Sequence, residues 1–556
     1  MPRTVPLTLV ALLVAGCTPN RDAAPSATAP VTLAIVGARV WTGDDAHPTA
    51  EAIAIAGDRI AHVGSTADVK SMAGEARVID AGGRLVVPGF IDTHVHFIDG
   101  GFRLASVQLR DAATREEFAR RIGAFAAGVP AGTWIMGGDW DHEMWGGELP
   151  TRDWIDEVTP DHPVWINRLD GHMSLANTAA LRAADVDERT PAVDGGEIVR
   201  GARGRPTGIL KDNAMALVDR VVPPPSEAML DRALDAAMAH VAAQGVTTVH
   251  HMGGWSELET FTRARRADRL RTRIYAAVPL RDWERLRDRV AAEGRGDEWL
   301  RIGMLKGFVD GSLGSKTALF DDPYEGSTDD RGLAVTPSAD LRAWIAGADR
   351  ASLHVAVHAI GDRANRQLLD IYEQVARDNG ARDRRFRIEH AQHLARPDIA
   401  RFAALGVVPS MQPYHAIDDG RWAERVIGSE RIRTTYAFRS LLDAGARVAF
   451  GSDWHVAPPV PLMGIYAAVT RRTLDDANPD GWVPGERITV EEALRAYTAA
   501  GAWAGFDEAN RGVLSPGRLA DVVIVDRDIL TVDPVTIRDA TVTTTIVGGR
   551  VVHEAP

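Results

Sequence analysis

His94 and His96 stand two residues apart at the end of Pro88-Gly89-Phe90-Ile91-Asp92-Thr93-His94-Val95-His96. Residues i and i+2 of a strand project from one face, so two imidazoles here can grip one ion. A lone His-x-His is a weak signal, since core histidines are common. Other apolar runs end in the same kind of chemistry: Val355-Ala356-Val357-His358, Arg387-Ile388-Glu389-His390 and Phe450-Gly451-Ser452-Asp453. The chain has 17 histidines and one cysteine, so a transition metal here must be held by imidazole and carboxylate. Lys306 lies inside the apolar run Gly303–Val309, where a lysine is costly unless paired or neutralised. An ammonium has no lone pair for a metal. Two readings of Lys306 stay open: an ion pair, with Asp310 as candidate partner, or a carbamate formed with carbon dioxide.

The elements that must position these residues are legible as alternation. Apolar strands are expected at Val86–Phe97, Gly245–Met252, Arg273–Pro279, Gly303–Val309, Leu353–His358, Arg385–Glu389, Gly406–Met411 and Ala446–Gly451, several separated by helical stretches such as Glu227–Gln244. Eight such strands predict an α/β fold, a (β/α)8 TIM-like barrel over residues 87–510 with its chemistry at the C-terminal strand ends. Residues 102–244 are too long for one connection and read as a large insertion after the first strand, lying over the barrel mouth. That insertion carries Trp140, expected to wall a substrate pocket, and His172. His415, just past the seventh strand, is placed for substrate contact. Short β runs at residues 31–86 and 511–556 predict one small β-sandwich built from both chain ends. Ile35-Val36-Gly37-Ala38-Arg39-Val40 and Ile546-Val547-Gly548-Gly549-Arg550-Val551 suggest two similar hairpins, and Gly82-Gly83 a further hairpin turn.

Length and composition frame this. A chain of 556 residues fits three or four domain-sized units, or one large barrel with additions. With 45% hydrophobic and 25% charged residues it is ordinary globular material, not a disordered chain. A formal net charge of −13 argues against a nucleic-acid partner. One cysteine excludes an intrachain disulfide. Arg3, the apolar run Val5–Val14 and Ala15-Gly16-Cys17 describe a secretory signal over residues 1–16, too short to span a membrane. Residues 17–30, with Pro19, Pro25 and Pro30, read as a flexible tether.

Two resemblances extend this. Leu13-Val14-Ala15-Gly16-Cys17 resembles a bacterial lipoprotein signal, which implies cleavage before Cys17, a lipid on its thiol and attachment at the cell envelope. From about 31 to 553 the chain resembles the amidohydrolase superfamily, in particular its amidohydrolase-3 branch of N-acyl and N-formyl amide hydrolases. The motifs are Gly89–His96, Asp310-Gly311-Ser312-Leu313-Gly314-Ser315, His358-Ala359-Ile360-Gly361-Asp362-Arg363, Ile388-Glu389-His390-Ala391, Ser410-Met411-Gln412-Pro413 with His415, and Gly451-Ser452-Asp453-Trp454. The resemblance implies that His94 and His96 bind the more buried of one or two divalent ions, zinc first, with manganese or iron as alternatives. It implies that carboxylated Lys306 bridges the ions and that His358 and His390 hold the second. Asp453 would touch the first ion and transfer protons, while His172 reaches the substrate, with Asp310, Trp140 and His415 nearby. Where the branch often has proline after Gly-Ser-Asp-Trp this chain has His455, and where it often has His-Asp this chain has His250-His251. The expected activity is hydrolysis of a small-molecule amide by metal-activated water. Deamination of a cyclic amidine is the alternative, and an inactive cell-surface binding protein a weaker one. Oligomeric state is open, a homodimer included.

Overall fold

The computed structural model describes residues 30–555. Cys17, the signal over 1–16 and all of the expected tether but Pro30 lie outside the described residues. No helix among the described residues is long and apolar enough to cross a membrane.

Eight parallel strands form the central sheet in chain order: Phe90–Val95, Val246–Met252, Arg273–Pro279, Leu300–Phe308, His354–Ala359, Arg387–His390, Val408–Met411 and Ala449–Phe450. The eighth closes onto the first through a Val95–Trp454 bridge and a 2.7 Å hydrogen bond from Asp453 N–H to the His94 carbonyl. Helices pack outside. Glu227–Ala242 is capped by Ser226, whose hydroxyl accepts from Met229 N–H, and turns Leu230, Leu234, Ala237 and Val241 inward at helical spacing. The result is a (β/α)8 barrel, as the alternation of apolar runs requires.

The first expected strand is in fact two. Leu85–Pro88 pairs with Val522–Val525, whereas Phe90–Val95 pairs with barrel strand Val246–Met252. Gly89 is the joint: a Cβ there would lie 2.3 Å from Thr247 Oγ1. One chain thus passes directly from an outer sheet into the barrel wall.

The two chain ends build a sandwich. A four-stranded sheet (Arg59–Gly64, Ala52–Ala56, Leu33–Val36, Arg77–Asp80) faces a six-stranded one (Arg550–Glu554, Val542–Val547, Val522–Val525, Leu85–Pro88, Arg39–Trp41, Thr49–Ala50). Ile35, Ile53, Ile55, Val86, Ile524 and Ile546 fill the space between. The expected pair of similar hairpins is corrected here. Gly548-Gly549 does turn an antiparallel hairpin, but Gly37 and Gly82-Gly83 each carry the chain from one sheet to the other. Closing a two-layer core from few residues forces such crossings.

The insertion has a sheet of its own, ordered Gly196–Arg200, Pro206–Asp212, Met173–Ala176, Val164–Arg168, Ile135–Trp140, with apolar clusters around Phe118 and Trp154 and around Trp165 and Leu181. It presents Arg168 to His172 toward the barrel mouth.

Barrel and sandwich are tied by one buried ion pair. Arg273, on the third barrel strand, donates from Nε and Nη2 to the two oxygens of Asp521 at 2.8 and 3.0 Å. Both side chains are almost fully buried. Arg273→Ala leaves Asp521 buried without its cation and is expected to lower stability by about 3–5 kcal/mol. Urea denaturation reads this, and a loss below about 1 kcal/mol would show that the interface does not lean on the pair.

Candidate active site

Strands one, four, five, six and eight deliver His94, His96, Lys306, His358, His390 and Asp453 to one place at the C-terminal rim of the barrel. His94 is fully buried and its Nδ1 sits 2.6 Å from Glu389 Oε2. Glu389 accepts from Nδ1–H, which leaves the Nε2 lone pair facing Asp453 Oδ1 at 3.3 Å and Lys306 Nζ at 3.2 Å. His96 Nε2 approaches the same Asp453 oxygen at 3.4 Å. His390 Nδ1 lies 2.7 Å from Gln412 Oε1, and His358 Nε2 lies 3.0 Å from the Gly311 carbonyl, so each ring keeps its other nitrogen as the lone-pair side. The His358 and His390 ring centres are 4.6 Å apart. Ligand atoms of His94, His390 and Asp453 all lie within 4.8 Å of one another.

The donor set fits a divalent cation. Asp453 Oδ1 is buried and has no hydrogen-bond partner. It faces His94 Nε2, whose ring carries its proton on Nδ1 toward Glu389, so a lone pair confronts an anionic oxygen, an arrangement that a bound cation resolves. Burial lowers His94 to about 4 and holds His358 and His390 well below the usual range, keeping them in the neutral, ligating form. Burial pushes the Lys306 ammonium down to about 8.

Three buried groups that the sequence reading left without a role aim this set. Glu389, beside His390, is clasped by Arg387 from Nε at 2.7 Å and Nη2 at 3.1 Å. Arg387 also donates to the Thr93 carbonyl at 2.6 Å and to Ser410 Oγ at 2.9 Å, crossing the barrel interior. Burial opposes a charged Glu389, and Arg387 and His94 overcome it, holding the carboxyl well below its usual range. Asp92 accepts from Ser452 N–H at 2.8 Å and Ser452 Oγ at 2.5 Å, fixing the turn that delivers Asp453. Its place two residues before His94 on the first strand, and so on the same face, was the available signal.

Other expected residues fall in different places. His172 reaches the mouth from the insertion. Its Nδ1 is 2.7 Å from Asp212 Oδ1 and its ring centre is 4.9 Å from that of His358. His415 lines the central cavity with its Nε2 buried and unpartnered. Two expectations are corrected. Trp140 is not a pocket wall: it is fully buried against Phe118 and Trp145, with Nε1 bonded to the Ile166 carbonyl. Asp310 is neither a substrate contact nor the ion-pair partner of Lys306. Fully buried, it accepts backbone N–H groups of Leu319, Ile360 and Gly361 at 2.8–3.0 Å and so pins the loop after strand four to the end of strand five. Its pKa is raised to about 7 by that burial. The two departures from the family pattern are scaffolding. His455 Nδ1 lies 3.0 Å from Asp139 of the insertion, His250 Nδ1 accepts from Arg387, and His251 Nδ1 accepts from Phe97 N–H.

Above the centre opens a cavity whose wall mixes Arg168, Asp170, Asp419 and Gln392 with Leu169, Leu313 and Trp422. Arg168 is paired there with Asp170 at 2.8 Å and Asp141 at 3.2 Å, while Asp419 accepts from Gln392 and Tyr436.

A closed barrel with imidazoles and a carboxylate convergent at its C-terminal rim defines the class: a metal-dependent hydrolase. The family model described as "Amidohydrolase family" (Amidohydro_3) matches residues 77–553, and the chain belongs to that family. It is 41% identical over 515 residues to "Protein LONG AFTER FAR-RED 3" of Arabidopsis thaliana, covering 90% of this chain and 88% of that one. It is 30% identical over 546 residues to "N-substituted formamide deformylase" of Arthrobacter pascens, covering 94% and 98%. A crystal structure of an uncharacterized metal-dependent hydrolase from Pyrococcus horikoshii OT3 superposes with a TM-score of 0.73 at 27% identity, covering 90% of this chain and 99% of that one.

Glu389→Gln removes the charge that orients His94 while keeping the side-chain shape. Metal affinity is expected to fall about 10- to 100-fold, read by competition with a chromogenic chelator. Unchanged affinity would mean that the His94 ring is aimed by packing alone.

Proposed function

We propose that the protein hydrolyses a carbon–nitrogen bond of a small-molecule amide, other than a peptide bond. The observation that carries the reading is the unpartnered, buried Asp453 Oδ1 facing His94 and His96 beneath an open cavity. The likeness to a formamide deformylase along almost all of both chains supports the bond type.

His94, His96, His358, His390 and Asp453 would hold the metal, with zinc the first candidate for imidazole and carboxylate ligands. When bound, it supplies a Lewis acid for the carbonyl oxygen and a lowered pKa for water. Lys306, with its depressed pKa, would add carbon dioxide through Nζ, losing one proton and becoming an anionic carbamate that could help hold the metal. Asp453 stands where a carboxylate can accept the proton of an attacking water and return it to the departing nitrogen. His172, oriented by Asp212, presents Nε2 to the substrate carbonyl from the insertion side and stabilises charge developing on its oxygen. No serine or cysteine nucleophile is required.

Purified protein is expected to hold about one to two divalent ions per chain by elemental analysis, and to hydrolyse members of a panel of N-formyl, N-acyl and N-acyl-amino-acid amides. Asp453→Asn should cut turnover at least about 10²- to 10⁴-fold. Activity that survives chelation, or near wild-type turnover in that variant, would overturn the mechanism.

We further propose that the mature protein is tethered to the cell envelope through lipid on Cys17, in line with the signal-like run before it. Cys17→Ser is expected to abolish incorporation of labelled palmitate on expression in a bacterium, and continued labelling would reject lipidation at this residue.

A further inference from the structure

The wall of the central cavity carries more negative charge than its own cations answer. Where the insertion meets the segment after strand seven, two arginines stand among four aspartates. Arg168 donates from Nε to His142 at 3.1 Å and pairs with Asp170 at 2.8 Å and Asp141 at 3.2 Å. Arg421 pairs with Asp418 and, at 3.4 Å, with Asp141, and its Nε donates to the Asp418 carbonyl at 3.0 Å. Both guanidinium groups are thereby committed to Asp141, Asp170 and Asp418. Asp419 is the fourth carboxylate, and no basic side chain among the described residues forms an ion pair with it.

Asp419 ends the helix Pro413–Asp419 and lines the cavity, partly exposed. Both of its side-chain hydrogen bonds go to Oδ2, from Tyr436 O–H at 2.5 Å and from Gln392 Nε2 at 2.9 Å. Oδ1 accepts from none of the described residues. Gln392 is 4% exposed and lines the same cavity. Its Nε2 also serves His393 Nε2 at 3.0 Å, and the orientation of the amide is fixed because an ionised carboxylate only accepts. Gln392 Oε1 is therefore the atom left without a donor. One charged and one neutral acceptor, joined by a hydrogen bond, thus border the same space unsatisfied. Burial, with Asp418 alongside, pushes the Asp419 carboxyl up to about 7, as happens where a counter-charge is missing.

We propose that Asp419, together with Gln392 Oε1, is the specificity-determining subsite of this cavity and receives an ammonium group carried by the substrate. The inference deepens the amide-hydrolase reading and rests on it for catalytic meaning. The substrate it implies is an amide with a positive charge on the flank away from the scissile bond. An ammonium offers three donors and no acceptor, which suits two oxygens that lack donors. A substrate bearing a carboxylate, such as an N-acyl amino acid, meets like charge at Asp419 and finds Arg168 and Arg421 already paired.

The probe is N-(4-aminobutyl)methanesulfonamide, in which a sulfonamide that resists hydrolysis replaces the amide, titrated by calorimetry into the purified full-length protein. N-pentylmethanesulfonamide and 5-(methanesulfonamido)pentanoic acid are the comparisons, so that only the chain end differs. The ammonium probe is expected to bind at least about tenfold more tightly than the neutral one, and the acid more weakly than both. Asp419→Asn keeps the shape and should bring the ammonium and neutral probes within about twofold of each other while leaving the affinity of the neutral one unchanged, which general damage to the cavity would not do. Gln392→Met, which removes Oε1, should cut the preference at least about threefold. Circular dichroism shows that each variant folds, and the comparison in the wild type decides without either. Equal binding of the ammonium and neutral probes to the wild type, tighter binding of the acid, or an undiminished preference in folded Asp419→Asn protein overturns the proposal. Absence of binding overturns it as well. If the ammonium preference appears while the metal-loaded protein cleaves no amide, the subsite stands and the hydrolase reading falls. If amides are cleaved and no ammonium preference appears, the reverse holds.

Discussion

Glu389 must stay ionised inside a barrel that would rather neutralise it. A lone buried carboxylate costs several kcal/mol, and here Arg387 meets that cost with two hydrogen bonds to its oxygens. The arginine is itself fully buried and spends its remaining donors on Thr93, Ser410 and His250, which sit on three other strands. The charge on Glu389 accepts a hydrogen bond from the Nδ1–H of His94, and that sets the lone pair on Nε2 toward the centre. Remove the guanidinium and the carboxyl protonates, the tautomer of His94 is no longer fixed, and the strands lose a cross-tie. The chemistry at the rim is thus written into the interior below it.

The same logic recurs around the ring. Asp92 holds the turn before Asp453, Asp310 pins the segment below His358, Gln412 fixes His390, and Asp212 fixes His172. His94, His358, His390 and His172 each have a hydrogen-bond partner that aims the ring. Rotamer freedom at the rim is removed by hydrogen bonds made one layer down. The insertion joins this scheme through Asp139, which Arg103, Asn167 and His455 all address. It is therefore a wall of the site as well as a cover over it.

The barrel was legible because its strands are continuous apolar runs broken by amphipathic helices, and because a parallel barrel must place its chemistry at the C-terminal strand ends. His94, His96, His358, His390 and Asp453 could be read for the same reason: each terminates such a run. Glu389 and Asp92 sit among those motifs, but nothing in spacing distinguishes a carboxylate that touches a metal from one that orients a ligand. Trp140 misled because an aromatic near a candidate site reads alike whether it faces a cavity or the insertion's own core. Asp310 misled because backbone N–H groups from a loop nine residues on and a turn fifty residues on supply its partners. Gly37 and Gly82-Gly83 read as hairpins because glycine marks a turn without saying which sheet the chain enters next. The fold of the insertion, with its long-range pairing of Pro206–Asp212 to Met173–Ala176, gave no periodic signal of comparable strength.

The central claim is that the convergent rim is a divalent-metal centre. Anomalous diffraction at the zinc edge, recorded on crystals of protein loaded with zinc, tests it most directly. The account predicts an anomalous peak about 2.0–2.2 Å from His94 Nε2, His96 Nε2 and an Asp453 oxygen, with any second peak between His358 and His390. No peak at the rim of a fully loaded protein, or a peak held only by surface residues, would contradict it.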